Sequence, residues 1–204
     1  MSYWDRPKPV RRLRAVTLEQ LTQHSAALLD DGGLAALTIR ALAARLDVAP
    51  PSLYSRIESV DDLLDLALDH VLDRDDRVWS TSSEDPRDLL LDLYDHLLRH
   101  PWAPLVIGRR PPRGPAYIRY SERLLEILLE QGIPDPLTVA YAMTNFVIGS
   151  VTTASSAAQE PHVLVDPERA PTYAALHSSH EADPRAIVEA GLGALCGLSI
   201  ARTP

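Results

Sequence analysis

Hydrophobic side chains recur every three or four residues along most of this chain, which is the spacing that places them on one face of an α-helix. No segment alternates with the period of a β-strand, and no internal repeat is present. The pattern therefore predicts an all-α fold. The predicted helices include 17–31, 86–99, 116–132, 135–158 and 184–200, with another long helix that begins at Ser59.

Three segments interrupt the helical pattern. Residues 80–86 are rich in serine and acidic side chains, and we expect them to form a linker. Residues 108–115 contain three prolines and two glycines, which excludes a regular helix there. Residues 160–183 also carry prolines, and we expect them to form a long loop.

The stretch from Thr38 to Leu63 has the layout of two short helices joined by a tight turn, followed by a longer helix. Thr38 is a suitable N-cap for the first helix, which has one apolar face. Asp47 follows where the chain must turn, and aspartate tolerates the left-handed conformation better than most residues. Pro50 and Pro51 suit the first turn of the second helix. This arrangement is typical of a helix-turn-helix DNA reader.

The second helix of this pair has an inward and an outward face. Leu53 and Ile57 are four residues apart, and we expect them to anchor the helix inward. Hydroxyl groups, a phenol and a guanidinium are left on the outward face, and such groups bind phosphates and base edges. An ordinary helical hairpin in an all-α core has similar spacing, so the pattern alone leaves both interpretations open. The outward residues are Pro51, Ser52, Tyr54, Ser55 and Arg56.

Charge separates the front of the chain from the rest. The 204 residues carry a net charge of −8, which by itself argues against a nucleic-acid partner. Residues 1–56, however, hold eight basic and five acidic side chains, whereas residues 57–204 hold twelve basic and twenty-three acidic ones. A positive front and a negative remainder suit a DNA-binding head on a body that repels DNA elsewhere.

The first fifteen residues contain two prolines and a basic cluster at Arg11, Arg12 and Arg14, and we expect them to form a flexible arm. Such an arm can lie along phosphates or in a minor groove, and it can equally be a solvated tail without a partner.

Residues 17–72 resemble, without a gap, the N-terminal domain of the TetR family of repressors. The resemblance rests on a T-x-R-x-L-A-x-x-L helix, a V-x-x-P-[ST]-L-Y recognition helix and a third helix that enters with D-D-L-L. Residues 100–112 and 117–133 are more loosely similar to a C-terminal domain of the tetracycline-repressor type.

This resemblance implies a homodimer that binds a palindromic double-stranded DNA operator and responds to an unidentified small-molecule effector. The implied domains are a basic arm (1–15), a helix-turn-helix domain (16–58) and a ligand-binding and dimerisation domain (59–204). In the family, two helices pair with their counterparts across a twofold axis, and two helices here are rich in small residues; tight packing within one chain would favour the same residues. The small residues are Ala140, Ala142, Gly149, Ser150, Thr153, Ala154 and Ala157 in one helix, and Ala186, Ala190, Gly193, Ala194 and Gly197 in the other.

The resemblance assigns DNA contacts unevenly. Arg40 matches an arginine that reads a guanine, and Pro51 matches a proline that packs on a thymine methyl group. Thr38, Ser52 and Tyr54 match residues that bind phosphate. Two positions depart from the family: Pro50 replaces a side chain that would bind a base, and Val60 replaces a phosphate-binding lysine. The expected DNA-binding residues are Thr38, Arg40, Pro50, Pro51, Ser52, Tyr54, Ser55 and Arg56.

A ligand pocket is expected only through the resemblance. Its candidate lining consists of polar and aromatic residues of the C-terminal part, each of which also suits a place in the core or on the surface. These candidates are His96, His100, Trp102, Arg109, Tyr117, Tyr120, Tyr141 and Asn145.

Asp92, His96 and His100 lie four residues apart on one predicted helical face. Carboxylate and imidazole groups at that spacing are suited to bind a metal such as zinc. A solvated face or a pocket lining explains them equally well, and His100 with Pro101 and Trp102 suits a structural turn. We therefore expect neither a metal nor a cofactor.

No nucleophile motif or phosphate-binding glycine loop occurs, so we do not expect an enzyme. The single cysteine, Cys196, excludes an internal disulfide framework and lies among small residues. Without a signal peptide or a run of 18 apolar residues, we expect a cytoplasmic protein with no membrane partner. The alternative is a helical small-molecule-binding or protein-interaction module that has lost DNA binding.

Overall fold

The computed structural model describes residues 2–5, 16–80, 84–157, 165–177 and 183–200. These residues form ten α-helices and two 3-10 helices and contain no β-strand, which confirms the predicted all-α fold. The 3-10 helices are Tyr3–Asp5 and Pro50–Ser55. The α-helices are α1 (Leu18–Ala36), α2 (Ile39–Arg45), α3 (Val60–Asp73), α4 (Asp76–Ser80), α5 (Pro86–Arg99), α6 (Ala103–Ile107), α7 (Pro115–Glu130), α8 (Pro136–Ala157), α9 (Pro171–His177) and α10 (Pro184–Ile200).

The chain divides into two compact units. The first comprises Met1–Ser82 and His96–Leu124, and the second comprises Ser83–Asp95 and Leu125–Pro204. Helices α5 and α7 therefore each contribute residues to both units. The domain limits at residues 15 and 58 stay a prediction.

Helix α3 lies at the centre of the first unit. Every side chain from residue 62 to residue 69 is buried, including Leu63, Leu66 and Ala67. Helix α1 packs along α3 and contributes Leu21 and Leu29 to the core. The sequence predicts one apolar stripe on α3, whereas the structure buries almost the whole circumference because α1, α6 and the first 3-10 helix pack on different sides.

Helix α1 begins at the N-cap Thr17, whose hydroxyl accepts a hydrogen bond from the Gln20 N–H at 3.1 Å. The Gln20 side chain accepts in turn from the Thr17 N–H, which completes a capping box. The predicted end at residue 31 coincides with a kink at Gly32 and Gly33, where Gly33 adopts a φ of 66°. One further turn follows the kink and ends at Ala36.

The hydrogen bond at the start of α3 comes from Asp62 and not from Ser59. Ser59 has the backbone conformation of an N-cap, but its side chain makes no capping hydrogen bond. Instead, Asp62 accepts a hydrogen bond from the Glu58 N–H at 2.7 Å. A carboxylate in the first turn also interacts favourably with the positive end of the helix dipole.

In the second unit, α8 and α10 pack against each other. Gly191 allows this approach, because a Cβ atom there would lie 2.2 Å from the Phe146 ring. The predicted helices over 135–158 and 184–200 are confirmed within one or two residues at the ends that the structure describes.

The prediction of a continuous loop over 160–183 is wrong, because α9 occupies residues 171–177. Pro171 stands at the first position of this helix, where its missing N–H costs nothing. No side chain of α9 is buried, so hydrophobic spacing carried no signal for it. The parts of the predicted arm and linker at 6–15 and 81–83 lie outside the described residues.

Candidate nucleic-acid interface

The first helix of the DNA-reading pair is α2, and its start is fixed by Thr38. The Thr38 hydroxyl oxygen accepts a hydrogen bond from the Ala41 N–H at 3.0 Å, as predicted. Its O–H proton remains available to a phosphate oxygen. Arg40 is exposed on this helix and makes no ion pair with any residue that the structure describes. The Thr38 hydroxyl and the Arg40 guanidinium are therefore both accessible at the surface.

The turn after α2 adopts the predicted left-handed conformation. Asp47 has a φ of 52°, the only positive φ among the described residues that are not glycine. The Val48 N–H then donates to the Ala43 carbonyl at 3.0 Å, which closes the turn. This backbone geometry redirects the chain into the second helix of the pair.

The second helix is confirmed at the predicted place, but it is a 3-10 helix over Pro50–Ser55. The prolines lack an N–H, and the first backbone bond runs from the Ser52 N–H to the Ala49 carbonyl, three residues back. Leu53 and Ile57 have no exposed surface, so both predicted anchors are inward.

The outward face of this helix carries most of the predicted DNA-binding residues. Tyr54 is 52% exposed. Arg56 departs from the expectation, because it is only half exposed and its Nε atom is buried without a hydrogen-bond partner among the described residues. Its charge also acts on the phenol of Tyr3. The fully outward residues are Pro50, Pro51, Ser52, Tyr54 and Ser55.

Three of the candidate ligand-binding residues instead bind carboxylates within the first unit; His96 and Trp102 are buried, and His100 is half-buried. His96 Nδ1 lies 2.6 Å from Asp75 Oδ2, and Arg99 binds the same carboxylate. His100 Nδ1 and Trp102 Nε1 lie 2.8 and 2.6 Å from one oxygen of Asp30 on α1. The turn predicted at His100–Trp102 is present, closed by the Ala103 N–H and the His100 carbonyl.

The remaining ligand candidates are dispersed. In the first unit, Tyr120 is buried, Tyr117 is half-buried and Arg109 is exposed. In the second unit, Tyr141 and Asn145 are exposed on α8. Their roles stay predictions. No group of three histidine, cysteine or acidic side chains in the described part of the chain could hold a metal ion.

A row of four aspartates on α3 was missed by the sequence analysis. They recur every fourth residue, which places them on one side of the helix. Each is held by a group from residues 110–119 or from the N-terminus. The pairs are Asp61 with Arg110 at 2.6 Å, Asp65 with Arg110 at 3.2 Å and Ser2 at 2.7 Å, Asp69 with the Ala116 N–H at 2.8 Å, and Asp73 with Arg119 at 2.6 Å.

The spacing of these aspartates was visible in the sequence, but their partners were not. Like charges four residues apart destabilise an isolated helix, so such a row needs neutralising groups from elsewhere. A search for acids at helical spacing on an otherwise apolar helix would have found it. The row joins α3 to the segment that leads into α7.

These residues form a helix-turn-helix domain, and the helix that follows it, α3, is bound to other residues of the same unit. The comparisons with known proteins agree with a helix-turn-helix protein. Residues 83–180 match the family described as tetracyclin repressor-like, C-terminal domain. A helix-turn-helix transcriptional regulator of Saccharopolyspora erythraea is 35% identical over 159 residues, which cover 74% of this chain and 67% of that protein.

Two further relatives come from Streptomyces. The helix-turn-helix transcriptional repressor DrrR1 of Streptomyces coeruleorubidus is 31% identical over 71% of this chain, which spans only 54% of that repressor. The crystal structure of the TetR family protein ActR of Streptomyces coelicolor in complex with (S)-DNPA has a TM-score of 0.77 at 25% identity, covering 94% of this chain and all of that one. The chain belongs to the TetR family of transcriptional regulators.

Proposed function

We propose that this chain is a transcriptional repressor that binds a palindromic DNA operator as a homodimer and leaves it when a small-molecule effector binds. The observation that carries the proposal is the outward face of the Pro50–Ser55 helix. It presents hydroxyl groups, a phenol and two prolines, while Leu53 and Ile57 hold the opposite face in the core.

Each group on this face suits a different part of DNA. Hydroxyl and phenol groups donate to phosphate oxygens and fix the position of the protein without reading sequence. The guanidinium of Arg40 can bind the two acceptors of a guanine, and proline can pack on a thymine methyl group. With Pro50 in place of a hydrogen-bonding side chain, one base contact becomes apolar. We therefore propose an operator read by few direct hydrogen bonds.

The exposed surface of α8 supports the proposed dimer. The stretch Pro136–Ala154 has a mean hydropathy of 1.2, yet only 28% of it is buried within the chain. By length and composition alone it could cross a membrane, which is weak support for a membrane protein. We propose that the same helix of a second subunit covers it, since a Cβ atom at Gly149 on α8 would meet no atom within 4 Å.

The effector is proposed to be a largely apolar, aromatic or weakly acidic small molecule. Ligand pockets are mostly apolar with a few polar groups, and the candidate residues supply tyrosines, a tryptophan and an arginine. ActR, a relative in fold, was crystallised with (S)-DNPA. A regulator of this kind acts where the DNA is, so we propose that the protein works in the cytoplasm.

The proposal is tested with the purified chain and the DNA beside its own gene. Sedimentation at micromolar concentration is expected to give a dimer, and a gel shift is expected to give one specific complex. A thermal-shift screen then finds ligands, which are tested for operator release. A dimer that binds ligands but shifts no DNA would instead support the alternative, a ligand-binding module that has lost its operator.

A further inference from the structure

Residues 2–5 are docked on α3. Ser2 and Tyr3 are buried, and they bind one oxygen of Asp65. The Ser2 hydroxyl donates to Asp65 Oδ2 at 2.7 Å, and the Tyr3 N–H donates to the same atom at 3.0 Å. The expectation of a flexible arm therefore fails for these residues, which hold a defined place in the first unit.

The short segment is closed on itself, so it docks as a formed turn. The Ser2 N–H donates to the Asp5 carboxylate at 3.0 Å, and the Asp5 N–H donates to the Ser2 carbonyl at 3.2 Å. The rings of Tyr3 and Trp4 pack edge to face, with centroids 5.3 Å apart. The segment thus brings preformed hydrogen bonds and aromatic surface to α3.

Residues of α3 and of the 2–5 segment also bind residues 110–113, which lead into α7. Arg110 binds Asp65 at 3.2 Å and Asp61 at 2.6 Å. Asp5 lies 3.4 Å from Arg113. Asp65 is therefore a shared acceptor, because Ser2, Tyr3 and Arg110 all bind its Oδ2 atom. Its side chain is 5% exposed, and burying a carboxylate is costly unless such partners bind it.

The recognition helix is close to this junction. Burial raises the pKa of the Tyr3 phenol, the positive charge of Arg56 lowers it, and the negative charge of Asp62 raises it further. Arg56 directly follows the Pro50–Ser55 helix, and Asp62 lies in the first turn of α3. The Glu58 N–H donates to Asp62 at 2.7 Å, so the chain that leaves the Pro50–Ser55 helix is bound to the N-terminal part of α3, where Ser2 and Tyr3 bind Asp65.

We propose that residues 2–5 form an N-terminal clasp, which fastens the 110–113 segment to α3 through Asp65 and so stabilises the position of the recognition helix. The clasp is a conformational device beyond operator recognition itself.

Hydrogen exchange of the free full-length protein tests the clasp without DNA. Three proteins are compared: the wild type, a deletion of residues 2–5, and Asp73→Asn. The last variant breaks an exposed ion pair on the same helix, outside the clasp. The deletion is expected to speed exchange at least about fivefold in peptides covering 56–68 and 105–114, because opening free energies fall where buried contacts are lost. Unchanged exchange in these peptides would overturn the clasp.

A double-mutant cycle tests the central contact with milder changes. Ser2→Ala and Asp65→Ala each remove one partner of the same hydrogen bond, so their effects on the unfolding equilibrium are expected to be non-additive by about threefold or more. Ser2→Ala and Asp73→Asn share no partner and are expected to be additive. Equal coupling in the two cycles would overturn the proposal, even if the deletion itself fails to fold.

Operator binding supplies an independent readout. The deletion of residues 2–5 retains every arginine of the arm, so the salt dependence of binding is expected to stay unchanged. The affinity is expected to fall about three- to tenfold, because the recognition helix is less well held. An unchanged affinity would overturn the link to the recognition helix. If the wild type binds no operator, the proposed function fails while the exchange and coupling experiments still decide the clasp.

Discussion

The Nδ1 atom of His96 lies 2.6 Å from the Oδ2 atom of Asp75, and the histidine side chain is only 1% exposed. Arg99 binds the same carboxylate. Burial lowers the pKa of His96 to about 4, although the hydrogen bond to Asp75 opposes that shift and the neighbouring His100 reinforces it. At neutral pH His96 is therefore an uncharged donor to Asp75.

This pair is expected to make the protein acid-sensitive. Because the folded pKa lies below the ordinary value of about 6.5, protonation favours the unfolded state. The contribution of uncharged His96 to the unfolding free energy is complete above about pH 6.5. It is lost as the pH falls towards 4, by at most about 3 kcal/mol. His96→Asn retains a donor for Asp75 but cannot titrate, so its urea unfolding free energy is expected to fall less over that range.

The control for this experiment is His177→Asn on α9, which is expected to keep the wild-type pH dependence. Identical pH profiles for the wild type and His96→Asn would contradict the assignment of the acid-sensitive group.

Asp69 caps α7 from a distance in sequence. Its Oδ1 atom accepts hydrogen bonds from the Ala116 and Tyr117 N–H groups at 2.8 and 3.2 Å. Burial raises the pKa of Asp69, and these two backbone bonds oppose the rise. Gly114 leaves room for the carboxylate, since a Cβ atom there would lie 2.1 Å from Asp69 Oδ1.

Two substitutions are therefore expected to break this cap, and one is expected to preserve it. Asp69→Ala and Gly114→Ala should each lower the unfolding free energy by about 1–2 kcal/mol, the usual cost of a lost cap. Asp69→Asn keeps an acceptor and removes a negative charge that burial disfavours. Its unfolding free energy should therefore be close to that of the wild type. Urea unfolding measures all three, and a large loss for Asp69→Asn would show that the charge itself is needed.

Local chemistry made the helix-turn-helix readable from the sequence. Thr38, Asp47 and Pro50 each act on backbone groups within a few residues, so their roles depend little on the rest of the fold. The same holds for the apolar anchors Leu53 and Ile57, whose spacing alone sets their direction.

Tertiary contacts could not be read in the same way. The partners of Asp65 come from residues 2 and 110, and nothing in the local sequence joins those positions to α3. Arg56 fits the outward pattern of its helix, yet its Nε atom is buried. Helix α9 has no buried face, so the periodicity that identified the other long helices was absent.

Two substitutions should separate base reading from phosphate binding. Arg40→Ala is expected to relax specificity at one base position, at a cost of about 1–3 kcal/mol on the preferred operator. Tyr54→Phe should weaken all operator variants by a similar factor, because a phosphate contact carries no sequence information. Affinities over a panel of single-base operator variants distinguish the two, and matching profiles would contradict these roles.

The exposed face of α8 predicts a charge-sensitive dimer. Tyr141 is 64% exposed in the single chain, and burying a new charge there would oppose association. Tyr141→Glu is therefore expected to shift sedimentation towards the monomer. Ile118→Glu is the matched control, since Ile118 on α7 is 53% exposed and is expected to leave the dimer intact. Dissociation by both variants, or by neither, would contradict α8 as the interface.

The basic arm is expected to supply affinity that does not depend on sequence. Replacing Arg11, Arg12 and Arg14 with glutamine removes three charges and leaves the residues of the N-terminal clasp in place. Each phosphate that is no longer neutralised lowers the slope of log K against log salt by about 0.9, so the slope should fall by up to roughly 3 per subunit. In the control, Arg87, Arg169 and Arg185 of the second unit are replaced with glutamine. The slope is expected to stay unchanged in this control, because that unit carries none of the proposed DNA contacts. An unchanged slope in the arm variant would mean that these arginines are solvated in the complex and bind no phosphate.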